Sequence, residues 1–462
     1  MNDNEMKQSF QFRSKLSPAR RHLAKYMRKN YGLILRKNSH DIYILDENKK
    51  GYIKQEFDDI MNLLAIDLGK ETICDDDLST ALTFISDRLE PTPNIVRFNN
   101  ELFDMETMCE IWPKEPIFTL IGTDYNLNNE AKSTILKEFL ESSLKKDTPQ
   151  ETQECIKGVF QLVGYLFTSG NKLNVLPMIT GISGGGKSVF GNLLTAIFGK
   201  DRVADLKLQE IENNTHATSS LANKHLNIIN DSDATSISNN STIKQMTGND
   251  SIQINPKYQQ PYVLSKEEVP KSIIICNSIP DFKRLEPALV ERILIIEFNV
   301  KFRGTIKENP NLLEDILANP EEIEWFIYQS LEAYANMVFD EKDFILRKSG
   351  SETKKLINKH QHPINYLLSE LIVGCDNPIY DSEDDKPIFT NDLNRAIINL
   401  AEKRGLDIQT DKNNRIPPKK LIGAIRNEIE VLGDGYHTKV LYGKRYYPDL
   451  RATALYWELL EG

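Results

Sequence analysis

No run of about 18 apolar residues occurs in the 462-residue sequence, which excludes a membrane-spanning helix. The opening Met1-Asn2-Asp3-Asn4-Glu5 is polar and lacks the apolar stretch of a secretory signal. Cysteine is scarce: Cys74, Cys109, Cys155, Cys276 and Cys375 stand far apart and form no C-x-x-C pair. That spacing speaks against a zinc ribbon or a disulfide framework and fits a reducing, cytoplasmic compartment. Internal repeats and long low-complexity tracts are missing too. Acidic residues are absent from one place. From Lys7 to Lys37 there are ten Lys/Arg and no Asp/Glu. With a net charge of −10 for the chain, the remainder carries −20. So acidic a protein does not coat nucleic acid by bulk electrostatics. A basic arm on an acidic body is nevertheless a candidate nucleic-acid contact, the alternative being a solvated helix face.

What is present is an ordinary soluble composition, 40% hydrophobic and 27% charged. At about 150 residues per domain the length allows about three domains. The first ~40 residues read as a basic amphipathic helix, with Leu16, Leu23, Tyr26 and Met27 on one face. Residues 40 to 115 alternate short strand and helix signals. A turn near Asn48 separates Ile42-Tyr43-Ile44-Leu45 from a helix expected after Gly51, and a hairpin tip is expected at 98–104. Two helices are expected from Ala131 to Leu144 and from Thr152 to Phe167. From 172 to 300, apolar strand runs alternate with helical stretches, the pattern of an α/β domain.

The most informative segment is Gly181-Ile182-Ser183-Gly184-Gly185-Gly186-Lys187-Ser188, the G-x-x-x-x-G-K-[ST] pattern of a phosphate-binding loop. By composition it arises by chance in on the order of 0.02 chains of this length. An apolar run, Val175 to Thr180, precedes it, and a helix ending at Gly199 follows. The glycines let backbone N–H groups turn inward around phosphate, and the helix N-terminus adds its positive dipole end. Gly181, Ser183, Gly184, Gly185, Gly186, Lys187, Ser188 and Val189 are therefore the expected nucleotide-binding residues. Lys187 would bridge the β- and γ-phosphates, and the Ser188 hydroxyl would hold Mg²⁺.

Three strand ends supply candidate partners. Leu226-Asn227-Ile228-Ile229-Asn230-Asp231 ends at an acid suited to the metal's water shell and to polarising a water, with Asp233 two residues on. It is expected on a strand neighbouring the loop's own. Ser272 to Cys276 ends at Asn277, an amide able to sense a γ-phosphate. Arg292 precedes the run Ile293 to Phe298, and an Arg there can act across a subunit boundary. Between the second and third strands, Ile252, Ile254, Pro256 and Tyr262 read as a β-hairpin. Its tip carries Lys257 and Tyr258, a cation beside a stacking ring, which suits single-stranded nucleic acid.

This order of motifs resembles superfamily 3 helicases, and more narrowly the helicase module of phage, plasmid and poxvirus-type primase-helicases. Leu221-Ala222-Asn223-Lys224-His225 stands where that family has a Leu-x-Gly-Lys-Arg-like start. Lys244-x-x-Thr247-Gly248-x-Asp250 is similar to its Lys-x-Leu-Thr-Gly-x-Asp, and Asn277-Ser278-Ile279-Pro280 to its Asn-x-x-Pro. Glu291-Arg292-Ile293 resembles its Arg-Arg-Ile with the first Arg replaced, and Phe98-Asn99-Asn100-Glu101-Leu102 its Phe-x-Asn-Gly-x-Leu. The resemblance spans about residues 95 to 305. Asn230-Asp231 departs from the family's usual Glu.

The resemblance implies an α/β fold: an AAA+ P-loop ATPase domain with an α-helical or mixed N-terminal region and a C-terminal winged-helix-like domain. The expected division is 1–115, basic arm and small α+β domain; 116–170, helical collar-like region; 171–305, ATPase core; 306–360, helical extension; 361–462, winged-helix-like domain for DNA or partner. It implies a ring, expected as a hexamer, with ATP and Mg²⁺ between subunits. The ring would thread single-stranded DNA, move 3′ to 5′ and unwind duplex in the host cell of a virus or mobile element. Lys187, Asp231, Asn277 and Arg292 would be catalytic, Arg292 as the finger reaching a neighbour, and Ser188 with Asp231 would hold the metal. Lys257, Tyr258 and Lys266 would touch DNA, with Lys244 supporting the hairpin. About 95 residues precede the similar region, too few for a primase domain, so a separate primase or polymerase is an expected partner and no membrane is. A ring ATPase acting as loader or remodeller, an origin-binding initiator, and RNA as the track remain open at this point.

Overall fold

The structure is a computed structural model. It describes residues 16–37, 41–46, 51–69, 73–86, 88–214, 216–231, 240–257, 260–277, 279–280, 286–306, 308–374, 387–404, 406, 408–430, 439–441, 444–447 and 450–461.

The basic segment forms α1 (Leu16–Tyr31). It packs Ala19, Leu23, Ala24 and Met27 into a small core with β1 (Ile34–Arg36), β2 (Ile42–Asp46), β3 (Gly51–Gln55), α2 (Phe57–Leu68), α3 (Asp75–Thr83) and β4 (Arg88–Leu89). Arg20 donates from Nε to Asp77 at 2.9 Å and also meets Asp76, while Arg21 lies over the Phe84 ring. Part of the arm's charge is thus answered within the chain. The segment after Gly51 is a strand and the helix begins at Phe57, a correction to the expected helix. Tyr52 and Ile53 pair across to Leu45 and Ile44, so a β ladder overrides the local reading.

A second sheet, ordered β7-β6-β5-β8, follows from β5 (Ile95–Arg97), β6 (Leu102–Asp104), β7 (Cys109–Ile111) and β8 (Ile121–Gly122). Phe98 N–H donates to Glu101 O at the expected hairpin tip. β5 pairs in parallel with β8, and position 115 lies in the connection between β7 and β8. Then come α4 (Ile135–Ser143) and α5 (Pro149–Leu166), the latter started by a capping box at Thr148 and Glu151.

The centre is a five-stranded parallel sheet, ordered β10-β11-β14-β9-β15, from β9 (Leu176–Gly181), β10 (Val203–Ala204), β11 (Leu226–Asp231), β14 (Lys271–Cys276) and β15 (Ile293–Phe298). Helix α6 (Lys187–Phe198) and the short α7 (Leu208–Asn213) join the first three of these in sequence, and α8 (Asn240–Thr247) and the hairpin β12 (Ile252–Ile254) and β13 (Tyr262–Leu264) separate β11 from β14. The strands read as continuous apolar runs because both faces are covered. Register makes this concrete. Ile229, Ile274, Met178 and Ile295 align across four strands and enter one core with Ile243, Met246 and the hairpin's Ile252 and Ile254. Their neighbours Ile228, Ile273, Ile275, Ile179 and Ile296 enter the other, with α5 and α6.

Beyond the short α9 (Pro287–Val290) and β15 come α10 (Leu312–Ala318), α11 (Pro320–Asn336) and α12 (Gly350–Gln361). Helix α11 packs along α5, where Gly164 lies so close that an added Cβ would stand 2.2 Å from Ser330 O. Helices α4, α5, α10 and α11 therefore contribute to one core. Glu297 on β15 meets Lys146 at 3.3 Å and Lys359 of α12 at 2.9 Å, which ties this layer to the sheet. The C-terminal part runs α13 (Pro363–Leu371), β16 (Ile372–Gly374), β17 (Ile388–Phe389), α14 (Thr390–Lys403), α15 (Pro418–Glu430), β18 (Lys439–Leu441), β19 (Lys444–Tyr447), β20 (Leu450–Ala452) and α16 (Ala454–Glu461). Its antiparallel sheet is ordered β17-β19-β18, and its helices bury Leu393, Ile397, Leu421 and Ile425. Among the described residues no helix is long and apolar enough to cross a membrane.

Candidate functional site

Strand β9 is buried throughout and delivers Gly181 to the carboxyl edge of the sheet, where ligands of parallel sheets gather. Gly181 has φ 136°, and an added Cβ would stand 2.2 Å from Phe298 O at the end of β15. Only glycine permits that approach. Gly186, at φ 97°, is the N-cap of α6, and its missing Cβ leaves room for Phe139 of α4. The loop is thus a bare backbone turn opening a 12-residue helix whose first amides have no intrahelical acceptors. Such a turn offers N–H groups and a positive dipole end to an anion.

Lys187 is 6% exposed and turned back on its own loop. Its Nζ donates to Gly181 O and Ile182 O, both at 2.7 Å. Burial pulls its pKa below the ordinary lysine value, with the nearby Cys276 thiol acting weakly the other way. An anion in the turn would draw this ammonium off the two carbonyls. Ser183 and Ser188 are exposed and Val189 is half-buried.

Asp231 ends β11 opposite Cys276 of β14. Its side chain, and all of Asp233, lie outside the described residues. The acidic strand was expected beside β9. The sheet order corrects this: β14 stands between them. What flanks β9 is therefore the strand leading to Asn277. Ile275 pairs with Ile179, which puts Asn277, exposed and two residues on, level with Gly181. Asp231, Asn277 and the glycine turn all reach the same edge.

Arg292 lies at the other edge. Leu176 N–H donates to Arg292 O at 2.6 Å, at the start of β9 rather than its end. Five residues of strand separate it from Gly181, roughly 17 Å. Its guanidinium Nη1 donates to Lys244 O at 2.9 Å and to Thr247 Oγ1 at 3.0 Å, holding the last turn of α8. It cannot reach the turn of its own chain. The hairpin that follows α8 pairs Ile252 with Leu264 and Ile254 with Tyr262. Lys257 at its tip is exposed, and Tyr258 lies outside the described residues. Lys266 is exposed, 3.8 Å from Glu267. Lys244 is paired with Glu286.

Two features had no sequence signal. The hydroxyls of Ser143 and Thr180 are buried without a hydrogen-bond partner among the described residues, and Ser143 Oγ stands 3.3 Å from where a Gly186 Cβ would lie. Helix α4 thus abuts the turn through Phe139 and Ser143. Their distance in sequence, more than forty residues, hides the contact.

The fold and edge define a mixed α/β protein with a parallel sheet and a P-loop-like turn. A family model described as a family of unknown function, DUF5906, matches residues 179–287, which contain the turn, Asp231 and Asn277. Among solved structures, the chain is similar to the apo structure of the NrS-1 C terminal region (305-718). That match has 15% identity over 94% of this chain and 98% of that one, at a TM-score of 0.45. An A form of the same region gives 15% identity, 93% and 97% coverage and a TM-score of 0.42. No curated protein matches this chain.

Proposed function

We propose that this protein is an ATP-driven helicase of superfamily 3 type with an AAA+ core. In this reading it assembles as a ring, expected as a hexamer, and moves along single-stranded DNA during replication of a phage, virus or other mobile element. The observation that carries it is the common edge: Gly181–Ser188, the end of the Asp231 strand and Asn277 converge there, with the Asn strand interposed. ATP with Mg²⁺ supplies the transferable phosphoryl group and its charge-neutralising metal. The residues present suit both. The turn presents bare backbone with positive φ at Gly181, Gly184 and Gly186, and Ser188 lies exposed at the first turn of α6. In this reading the turn's amides hold the phosphates, and Lys187 exchanges its two carbonyl partners for phosphate oxygens. The Ser188 hydroxyl and Asp231 would hold the metal, which would supply charge neutralisation, while Asp231 would polarise the attacking water and Asn277 would orient it.

Arg292 would act on a neighbouring subunit. Its place at the far edge is compatible with action in trans, and such action gives up its two bonds to α8. Because Arg292, Lys244 and Thr247 meet at the root of the hairpin, phosphate capture in the next site would move the Lys257 tip. Lys257, Tyr258 and Lys266 would follow the strand's phosphates and bases. The C-terminal order helix, strand, helix, helix and strand pair, with the first strand beside the last, supports a winged-helix reading for DNA or a partner such as a primase.

Strand displacement on forked DNA with 3′ or 5′ tails tests this. Release from the 3′-tailed fork with ATP is expected. Hydrolysis without displacement on any fork would move the reading to a loader or remodeller.

A further inference from the structure

At the amino edge of the central sheet, away from the glycine turn, three layers meet around a small cavity of about 30 Å³. β3 contributes Tyr52 and Lys54, β5 contributes Arg97, and the core contributes Arg202 and Asn223. Arg97 is 4% exposed, yet among the described residues its Nη1 has no hydrogen-bond partner and its Nη2 reaches only Asp124, an exposed side chain 3.8 Å away. Arg202 gives Nη1 to two backbone carbonyls, Gly122 O at 3.0 Å and Phe198 O at 3.2 Å. Among the described residues Arg202 has no carboxylate within ion-pair distance, and Arg97 has only the exposed Asp124 at 3.8 Å. Asp201 lines the cavity, but after burial the strongest influence on Arg97 is repulsion from Arg202, ahead of Asp124, Asp46 and Asp201. Lys54 is occupied by Asp41 and Glu56, and Asn223, at φ 61°, donates to Asp41 and leaves its own buried Oδ1 without a partner.

An orphaned, nearly buried guanidinium is costly, and two mutually repelling ones more so. Water alone would satisfy the donors but would not offset the repulsion between Arg97 and Arg202, which outranks each single carboxylate acting on Arg97. We propose that this cavity binds a tetrahedral oxyanion of the phosphate class, held by Arg97 and Arg202, with Asn223 Oδ1 accepting from its protonated oxygen. A cavity of ~30 Å³ exceeds the 10–15 Å³ that one water needs and suits an ion of this size. The bound anion joins the N-terminal sheets to the core. Its source is either free phosphate or a backbone phosphate of a nucleic acid that reaches the cavity mouth. This site is separate from the glycine turn and does not rest on the helicase reading.

The test uses the full chain carrying Lys187→Ala, which weakens phosphate binding at the turn. Calorimetry with inorganic phosphate is compared with and without Arg97→Gln. Loss of one charge-assisted donor is expected to weaken binding about tenfold to a hundredfold. Phosphate binding that is absent, or equal in the two, overturns the proposal. Should Arg97→Gln fail to fold, arsenate and anomalous diffraction on the Lys187→Ala chain decide. A peak within hydrogen-bond reach of Arg97 Nη1 supports the site, and water density there overturns it. Displacement of the bound phosphate by a single-stranded oligonucleotide identifies backbone phosphate as the source, and retention identifies the free ion.

Discussion

Glu322→Gln should destabilise the helical layer that backs the glycine turn. Glu322, on α11 and 3% exposed, caps the start of α4. Its Oε1 accepts from Thr134 N–H at 3.0 Å and Ile135 N–H at 3.2 Å, and its Oε2 from Leu136 N–H at 2.9 Å and Ser133 Oγ–H at 2.6 Å. A glutamine keeps one acceptor oxygen and sets an NH₂ against the other two groups. Ser133 can rotate to accept, but Leu136 N–H is left without an acceptor in a buried place, costing about 1–3 kcal/mol. Loss of the charge at a helix N-terminus adds roughly 0.5–1 kcal/mol. The sum is about 1.5–4 kcal/mol.

The pH dependence has a definite sign. Burial alone would raise the Glu322 pKa, but the bonds from Ser133, Leu136, Thr134 and Ile135 outweigh it, and the net shift is downward from 4.5. A carboxylate depressed on folding stabilises above its unfolded pKa, and that contribution is lost as pH falls through the folded value. Thermal unfolding of wild type and variant is measured side by side at pH 7 and at a series of values below 4.5. The variant should melt several degrees lower at pH 7, with the gap closing on acidification. Equal melting at pH 7, or a gap indifferent to pH, would show that the Glu322 carboxylate does not cap α4 as described.

Other outcomes follow from the turn and the hairpin. Gly186→Ala places a Cβ at φ 97° and 2.7 Å from Phe139 Cε2; binding of a fluorescent ATP analogue should weaken roughly tenfold or more while the chain stays folded, since the strain is local. Arg292→Ala should raise amide exchange across residues 240–264 and abolish hydrolysis with nucleotide affinity near wild type. Mixing it with Lys187→Ala subunits should restore part of the hydrolysis, and no recovery would confine Arg292 to its own chain. Lys257→Ala should keep basal hydrolysis but lose DNA-stimulated hydrolysis and unwinding, and an unaffected variant would remove the hairpin from the track.

The glycine turn, its strand and its helix are legible because each depends on local chemistry: an apolar run, glycines at fixed spacing and a helical stretch ending at Gly199. The hairpin is legible for the same reason, since Ile252 and Ile254 alternate and Pro256 turns the chain. Sheet order is not local. Nothing near Asp231 states that Lys271–Cys276 will insert between it and β9. The packing of α5 on α11 joins residues more than 150 apart, and Gly164 has meaning only once Ser330 is beside it. Gly51–Gln55 misleads in isolation because its strand character comes from its partner. Arg292 shows the limit at the site: its type and place before β15 suggest a finger, but its bonds to Lys244 and Thr247 need the folded chain.

In the proposed DNA-coupled ATPase, Lys187 leaves Gly181 O and Ile182 O to hold phosphate. ATP hydrolysis with and without single-stranded DNA, for wild type and Lys187→Ala, tests it most directly. Hydrolysis that rises with DNA in the wild type and disappears in the variant is predicted. Equal hydrolysis in both proteins, or none in the wild type with Mg²⁺ and DNA present, would contradict the account.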